Sequence, residues 1–115
     1  MSANIFSPAW GSTQSIANAI AATAATLLPR NANALLLTNT SATARTHVAV
    51  TYYASDSEAA GAVSGGGGDA PALTSGVPIL PNQQVTIYFG PGPAVIRTIA
   101  TAADGNIIIT PGVWQ

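Results

Sequence analysis

Titratable side chains are almost missing from this chain of 115 residues. It has no cysteine, no lysine, one histidine, three arginines and four carboxylates, so charged residues make up 6% of it. Each absence removes a class of chemistry. Without cysteine there are no disulfides, thiolate metal sites or thiol nucleophiles, and the redox compartment leaves no mark on the sequence. Without lysine a Walker-type phosphate loop fails, because that loop places a lysine on the phosphates. The run Gly65-Gly66-Gly67-Gly68 therefore reads as a flexible segment, or as backbone pressed against a neighbouring protein. A net charge of -1, with Arg30, Arg45 and Arg97 far apart in sequence, offers no basic cluster for a nucleic-acid backbone, and no nucleic-acid partner is expected. A soluble domain ordinarily has about a quarter of its residues charged. This one must stay dispersed through uncharged polar groups, or have its surface covered.

What remains is apolar and small. Hydrophobic residues make up 48% of the chain, too many for a disordered segment, and the length suits one compact core that hides roughly two thirds of the unfolded surface. The stretch before Arg30 is interrupted by Asn4, Ser7, Pro8, Gln14 and Asn18, so no membrane span is expected. Met1 to Asn4 carries no basic residue to open a secretory signal, and the chain is read as mature from its first residue.

Alternation of period two is clearest where Val85, Ile87 and Phe89 interleave with Gln84, Thr86 and Tyr88, the pattern of a half-buried strand. Val48, Val50 and Tyr52 alternate with His47, Ala49, Thr51 and Tyr53 in the same way, after an apolar run Ala34 to Thr38 and a turn-like Asn39-Thr40-Ser41-Ala42. A β-rich run from Ala94 to Thr101 leads to Asp104-Gly105 and then to Asn106 to Thr110, and Asp-Gly between apolar runs predicts a hairpin. The three consecutive isoleucines predict a strand covered on both faces. Val77 to Leu80, punctuated by Pro78 and Pro81, predicts at most a short edge strand or an extended segment. Residues 12–28 fit either period: Ile16, Ile20 and Leu27 have helical spacing, whereas Ile16, Asn18, Ile20, Ala22 and Ala24 form a strand stripe. Counting that segment as strand, the chain is expected to be all-β, a single antiparallel β-sandwich over residues 1–115 with six or seven strands, Ig-like or jelly-roll-like. An amino-terminal arm over 1–12 and a flexible glycine-rich loop over 54–76 complete the expected layout.

Few residues can carry chemistry. His47 stands on the less apolar side of its strand, with Arg45 two positions earlier. A serine hydrolase built on it would need Asp56 and a nucleophile, and no nucleophile elbow is present. A strand-surface or interface histidine is the expected reading, with no catalytic residue and no enzymatic activity. Asp56, Glu58 and Asp69 gather in the loop, yet their spacing matches no EF-hand, so solvated carboxylates are expected, with no metal and no cofactor. Trp10, Trp114, Tyr52, Tyr53 and Tyr88 could serve as a sugar-stacking platform, although aromatic rings more often fill cores and protein interfaces. Ile5, Phe6 and Trp10 at one end and Val113 and Trp114 at the other are the expected partner-contact residues, because apolar chain ends dock somewhere.

Gln14-Ser15-Ile16, Leu28-Pro29, Leu35-Leu36-Leu37-Thr38-Asn39 and His47-Val48-Ala49-Val50, followed by Pro78-Ile79-Leu80-Pro81-Asn82-Gln83 and Ile109-Thr110-Pro111-Gly112, together resemble small tailed-phage virion proteins over residues 14 to 112. The chain departs from that group in its glycine-rich loop and aromatic ends. The resemblance implies a capsid decoration or cement protein of the phage head. Its partner would be the major capsid protein or another virion protein, and it would act as a homo-oligomer, a trimer if it sits at three-fold positions. The alternatives are a carbohydrate- or receptor-binding sandwich, or another minor component of head, neck or tail.

Overall fold

A computed structural model describes residues 6–8, 11, 13–28, 32–65, 67–68, 70–88 and 93–114. Among them are nine strands and one helix: β1 (Phe6–Pro8), β2 (Gln14–Ala17), β3 (Thr26–Leu27), β4 (Ala34–Asn39), β5 (Thr46–Tyr52), α1 (Asp56–Gly65), β6 (Val77–Ile79), β7 (Gln84–Tyr88), β8 (Ala94–Ala100) and β9 (Asn106–Trp114). They form two antiparallel sheets packed face to face, the expected all-β sandwich. The strand count exceeds six or seven because short pieces such as β1 and β3 also enter the ladders.

The first sheet, A, runs β1-β9-β4-β7, with β2 also paired to β9. β1 meets the far end of β9 at Gly112 to Trp114 and β2 meets its near end at Asn106 to Ile109, so the two share one edge. The second sheet, B, runs β3-β8-β5-β6. The pairs are nested: β2 with β9, β3 with β8, β4 with β7 and β5 with β6, all antiparallel. With β9 also beside β4, and β8 beside β5, this wrap is a jelly roll, which decides between the two expected topologies.

The wrap corrects the expected hairpin at Asp104-Gly105. β8 lies in sheet B and β9 in sheet A, so the turn carries the chain from one sheet to the other. The local chemistry is that of a turn all the same. Gly105 has φ of 70°, and a Cβ there would lie 2.7 Å from backbone atoms of Ser41. The connection from β4 to β5 crosses between sheets in the same way.

Period-two patterning decides what enters the core. Leu35 and Leu37 of β4, Val48 of β5, Ile79 of β6, Ile96 of β8 and Ile107 and Ile109 of β9 are buried between the sheets, and Ile16, Val50, Val85 and Ile87 close the rim. Each fully buried Leu, Ile or Val contributes roughly 1.5–3 kcal/mol of transfer free energy. Ile108, expected to be covered, is half-buried on the outer face, opposite Ser15 on one side and Thr38 on the other.

Two further expectations need correction. Residues 12–28 are neither one helix nor one strand: β2 and β3 are separated by an irregular stretch in which Asn18 turns inward and is buried. Within 54–76, expected to be loop, the chain forms helix α1. Ser55 caps it, its Oγ accepting the amide of Glu58 at 3.2 Å, while the Glu58 carboxylate accepts the amide of Ala54 at 3.2 Å. This Ser-x-x-Glu arrangement is close to a capping box. The amino-terminal arm likewise contains a strand, β1, because Phe6 to Pro8 find open ladder positions along β9.

Candidate interaction surface

The ionisable groups that chemistry would need are occupied within the fold. His47 projects from the outer side of sheet B, but the loop before β6 covers it and leaves it 6% exposed. Its Nε2 accepts a hydrogen bond from Arg45 Nε at 2.9 Å, which leaves the proton on Nδ1, donated to the carbonyl of Ser75 at 2.7 Å. Both ring nitrogens therefore face an arginine and a backbone carbonyl, and neither meets a serine hydroxyl. Arg97 lies along the same outer side, donating from Nε to the carbonyl of Thr23 at 2.9 Å and from Nη1 to the carbonyl of Gly68 at 3.1 Å. Asp56 and Glu58 stand in the first turn of α1, where carboxylates favour the helix amino terminus. Asp69 lies outside the described residues. Among the described residues no three His, Asp or Glu side chains come together.

Much of the outer face of sheet B is covered by the chain between β5 and β6. Ala59 of α1 packs with Ala25 and Tyr53 on Val95. Gly68 then crosses the sheet with φ of 91°, and a Cβ on it would lie 3.0 Å from Val95 Cγ2. Here glycine permits close approach to the protein's own sheet, where the sequence suggested flexibility or a foreign neighbour. Residues 73–76 finish the cover over His47, leaving an open hollow of about 420 Å³ beside Arg45, His47, Leu73, Pro78 and Leu80.

The outer face of sheet A is covered in its middle and open along its edges: Ala34 and Thr110 are buried, with the Thr13 and Thr110 hydroxyls 3.0 Å apart, whereas Ser15, Ala17, Gln84, Thr86 and Tyr88 are exposed. The ladder registers place Ser15, Ile108, Thr38 and Gln84 in one row and Thr110, Leu36 and Thr86 in the next, with Gly112, Ala34 and Tyr88 beyond. Among the described residues no charged side chain stands on this face. Tyr88 at its edge is 66% exposed.

A buried polar cluster ties the loops at one end of both sheets. Asn39 Nδ2 donates to the carbonyls of Ala44 at 2.7 Å and Ile79 at 3.1 Å, and its Oδ1 accepts from the Ser41 amide at 3.1 Å and from Asn18 Nδ2 at 3.3 Å. Thr46 donates to Asn18 Oδ1 at 2.8 Å, and Ser41 donates to Asp104 Oδ2 at 2.6 Å. The sequence offered only a weak signal of this cluster, since Asn18 read there as part of a strand stripe and Asn39 as a turn residue.

Of the expected contact residues, Ile5 and Trp10 lie outside the described residues. Phe6 and Trp114 are brought together by the backbone, as a ladder pair between β1 and β9. Val113 pairs with Ser7 and is 36% exposed. Sequence reasoning missed Ile20, Leu27, Leu73 and Leu80, apolar side chains between 41% and 70% exposed. No family model, no curated relative and no solved structure matches the chain. The fold and surface define a small jelly-roll sandwich whose sheet B is largely self-covered and whose sheet A has exposed outer edges with no charge among the described residues.

Proposed function

We propose that the chain is a non-enzymatic virion structural protein, a decoration or cement protein that stabilises a phage head by bridging capsid subunits. The observation that carries this reading is the outer face of sheet A, an area of threonine, serine, glutamine and aliphatic side chains with no charge among its described residues. Such a face attaches through shape and area. Many copies can sit side by side on a lattice without like-charge repulsion, and weak contacts repeated over that lattice add up. Exposed Ile20, Leu80 and Tyr88 add apolar anchors of the kind interfaces use. The jelly roll lends support by analogy of fold, since capsid and lectin domains share it.

The test is to add purified protein to phage particles that lack it and to locate it by imaging. Bound copies in a regular array on the head, with a raised temperature for release of packaged DNA, are expected. Absence from intact particles would defeat the reading. Trp10→Ala and Trp114→Ala, assayed separately, report whether the chain ends contribute to attachment.

The exposed rings of Tyr88 and Tyr52 favour one second reading, a carbohydrate- or receptor-binding module. Tyr88→Ala should then abolish glycan binding while leaving particle attachment intact, and that result would displace cementing as the principal role.

A further inference from the structure

The edges of the two sheets are protected unequally. In sheet B, β3 is two residues long and β6 is three residues long with Pro78 in it. In sheet A, one edge is divided between β1, with three residues including Pro8, and β2, with four. Short strands and prolines are ordinary devices for keeping edges from pairing with other chains. The opposite edge of sheet A is β7, Gln84-Val85-Thr86-Ile87-Tyr88, five residues with no proline, no charge and high β-propensity. Among the described residues nothing pairs with its free side.

The register shows which backbone groups that side presents. The amide of Asn39 donates to the carbonyl of Gln83, and the pairing continues with Leu37 opposite Val85 and Leu35 opposite Ile87. Hydrogen-bonded and non-bonded pairs alternate along an antiparallel ladder. Val85 and Ile87 therefore turn their N–H and C=O groups toward β4, and Gln84, Thr86 and Tyr88 turn theirs outward. The side chains follow the same alternation. Val85 and Ile87 are half-buried at the open rim of the core, and Gln84, Thr86 and Tyr88 are exposed on the uncharged outer face.

We propose that the free edge of β7 is a homodimer interface, in which two copies pair β7 with β7 antiparallel about a two-fold axis through Thr86 and join their A sheets into one. The strand is complementary to itself in this register. Thr86 faces Thr86 of the second copy and Gln84 faces Tyr88 in both directions, so every outward N–H and C=O of these residues gains a partner. Val85 then lies opposite Ile87 of the second copy on the inner face, covering the half-exposed rim of each core. No charge on the strand opposes its own copy. An isologous contact of this kind closes at two subunits, in contrast to the trimer that the sequence suggested. The pairing stands on the edge geometry alone and survives failure of the capsid reading.

The full chain is examined by native mass spectrometry and sedimentation over a concentration series, with amide hydrogen exchange read residue by residue. A dimer is expected, with exchange at Gln84, Thr86 and Tyr88 slowed at least about tenfold relative to the dilute monomer. Thr86→Pro removes one outward N–H without touching the bonds to β4, and should be monomeric where the native chain is dimeric, with β4 and β9 amides still protected. Thr86→Lys, which sets two ammonium groups on the axis, should give the same result if the proline variant fails to fold. A monomer at every concentration, a trimer, or a dimer whose Gln84, Thr86 and Tyr88 amides exchange freely would overturn the pairing. So would protection of these amides only on adding an extended peptide from another protein.

Discussion

The outer faces of the two sheets differ in what the chain places on them. Sheet B carries a helix, a glycine crossing and a loop, which together engage Val95, Arg97 and His47. Sheet A is covered only in its middle, where Ala34 and Thr110 are buried, and its described outer side chains are uncharged. His47 and Arg97 are thus engaged by the cover on sheet B, while among the described residues the outer face of sheet A holds no ionisable side chain other than the Tyr88 phenol. The exposed edges of the sheet A face are polar without being charged, and they are the area suited to meeting another protein.

Four substitutions break or sharpen that contrast, beginning with one that should remove both faces together. Gly105→Val forces a side chain into the backbone of Ser41 at a left-handed position, and should cost at least about 3 kcal/mol in chemical denaturation; a loss under 1 kcal/mol would show that the turn relaxes freely. Ala59→Asp buries a carboxylate among Ala25, Val95 and Tyr53, and should cost about 3 kcal/mol while exposing the outer face of sheet B to hydrogen exchange. Ser55→Ala removes the cap of α1 and should cost about 1 kcal/mol, with lost protection confined to the helix. Ala17→Lys puts a charge on the open edge of the outer face of sheet A, where Ala17 is exposed. Its stability should stay within about 0.5 kcal/mol of the native value while attachment to phage particles falls, so a large stability loss would mean that Ala17 is covered.

The strands with clean alternation were legible from sequence because their pattern is set locally. Val85 and Ile87 point inward and Gln84, Thr86 and Tyr88 outward, as their spacing predicts. Sheet membership was not legible. Asp104-Gly105 specifies a tight turn, but whether the strands it joins pair with each other depends on partners far away in sequence, and here β9 finds β4 and β8 finds β5. Helix α1 escaped because its alanines, serines and glycines form no apolar stripe; only Ala59 is buried. The spacing of Ser55 and Glu58 was the available signal. His47 was placed on the correct side of its strand, yet its burial came from a loop whose path no periodicity describes. The exposed apolar residues of the irregular segments, Ile20 and Leu73 among them, were invisible for the same reason.

The nested pairing of strands also bears on how fast the molecule reaches its native state. Its outermost pair, β2 with β9, joins residues near opposite ends of the chain, and even the innermost, β5 with β6, must close over the segment that contains α1. Almost no ladder can form from neighbours in sequence, so chain-closure entropy accumulates before the pairings stabilise the fold. Folding should fall in the millisecond-to-second class of two-sheet proteins, and until the outer strands close, the uncharged strands of sheet A remain open to other copies. For a chain with so few charges to keep copies apart, the slow interval before closure is when association in a wrong register competes most strongly with native assembly.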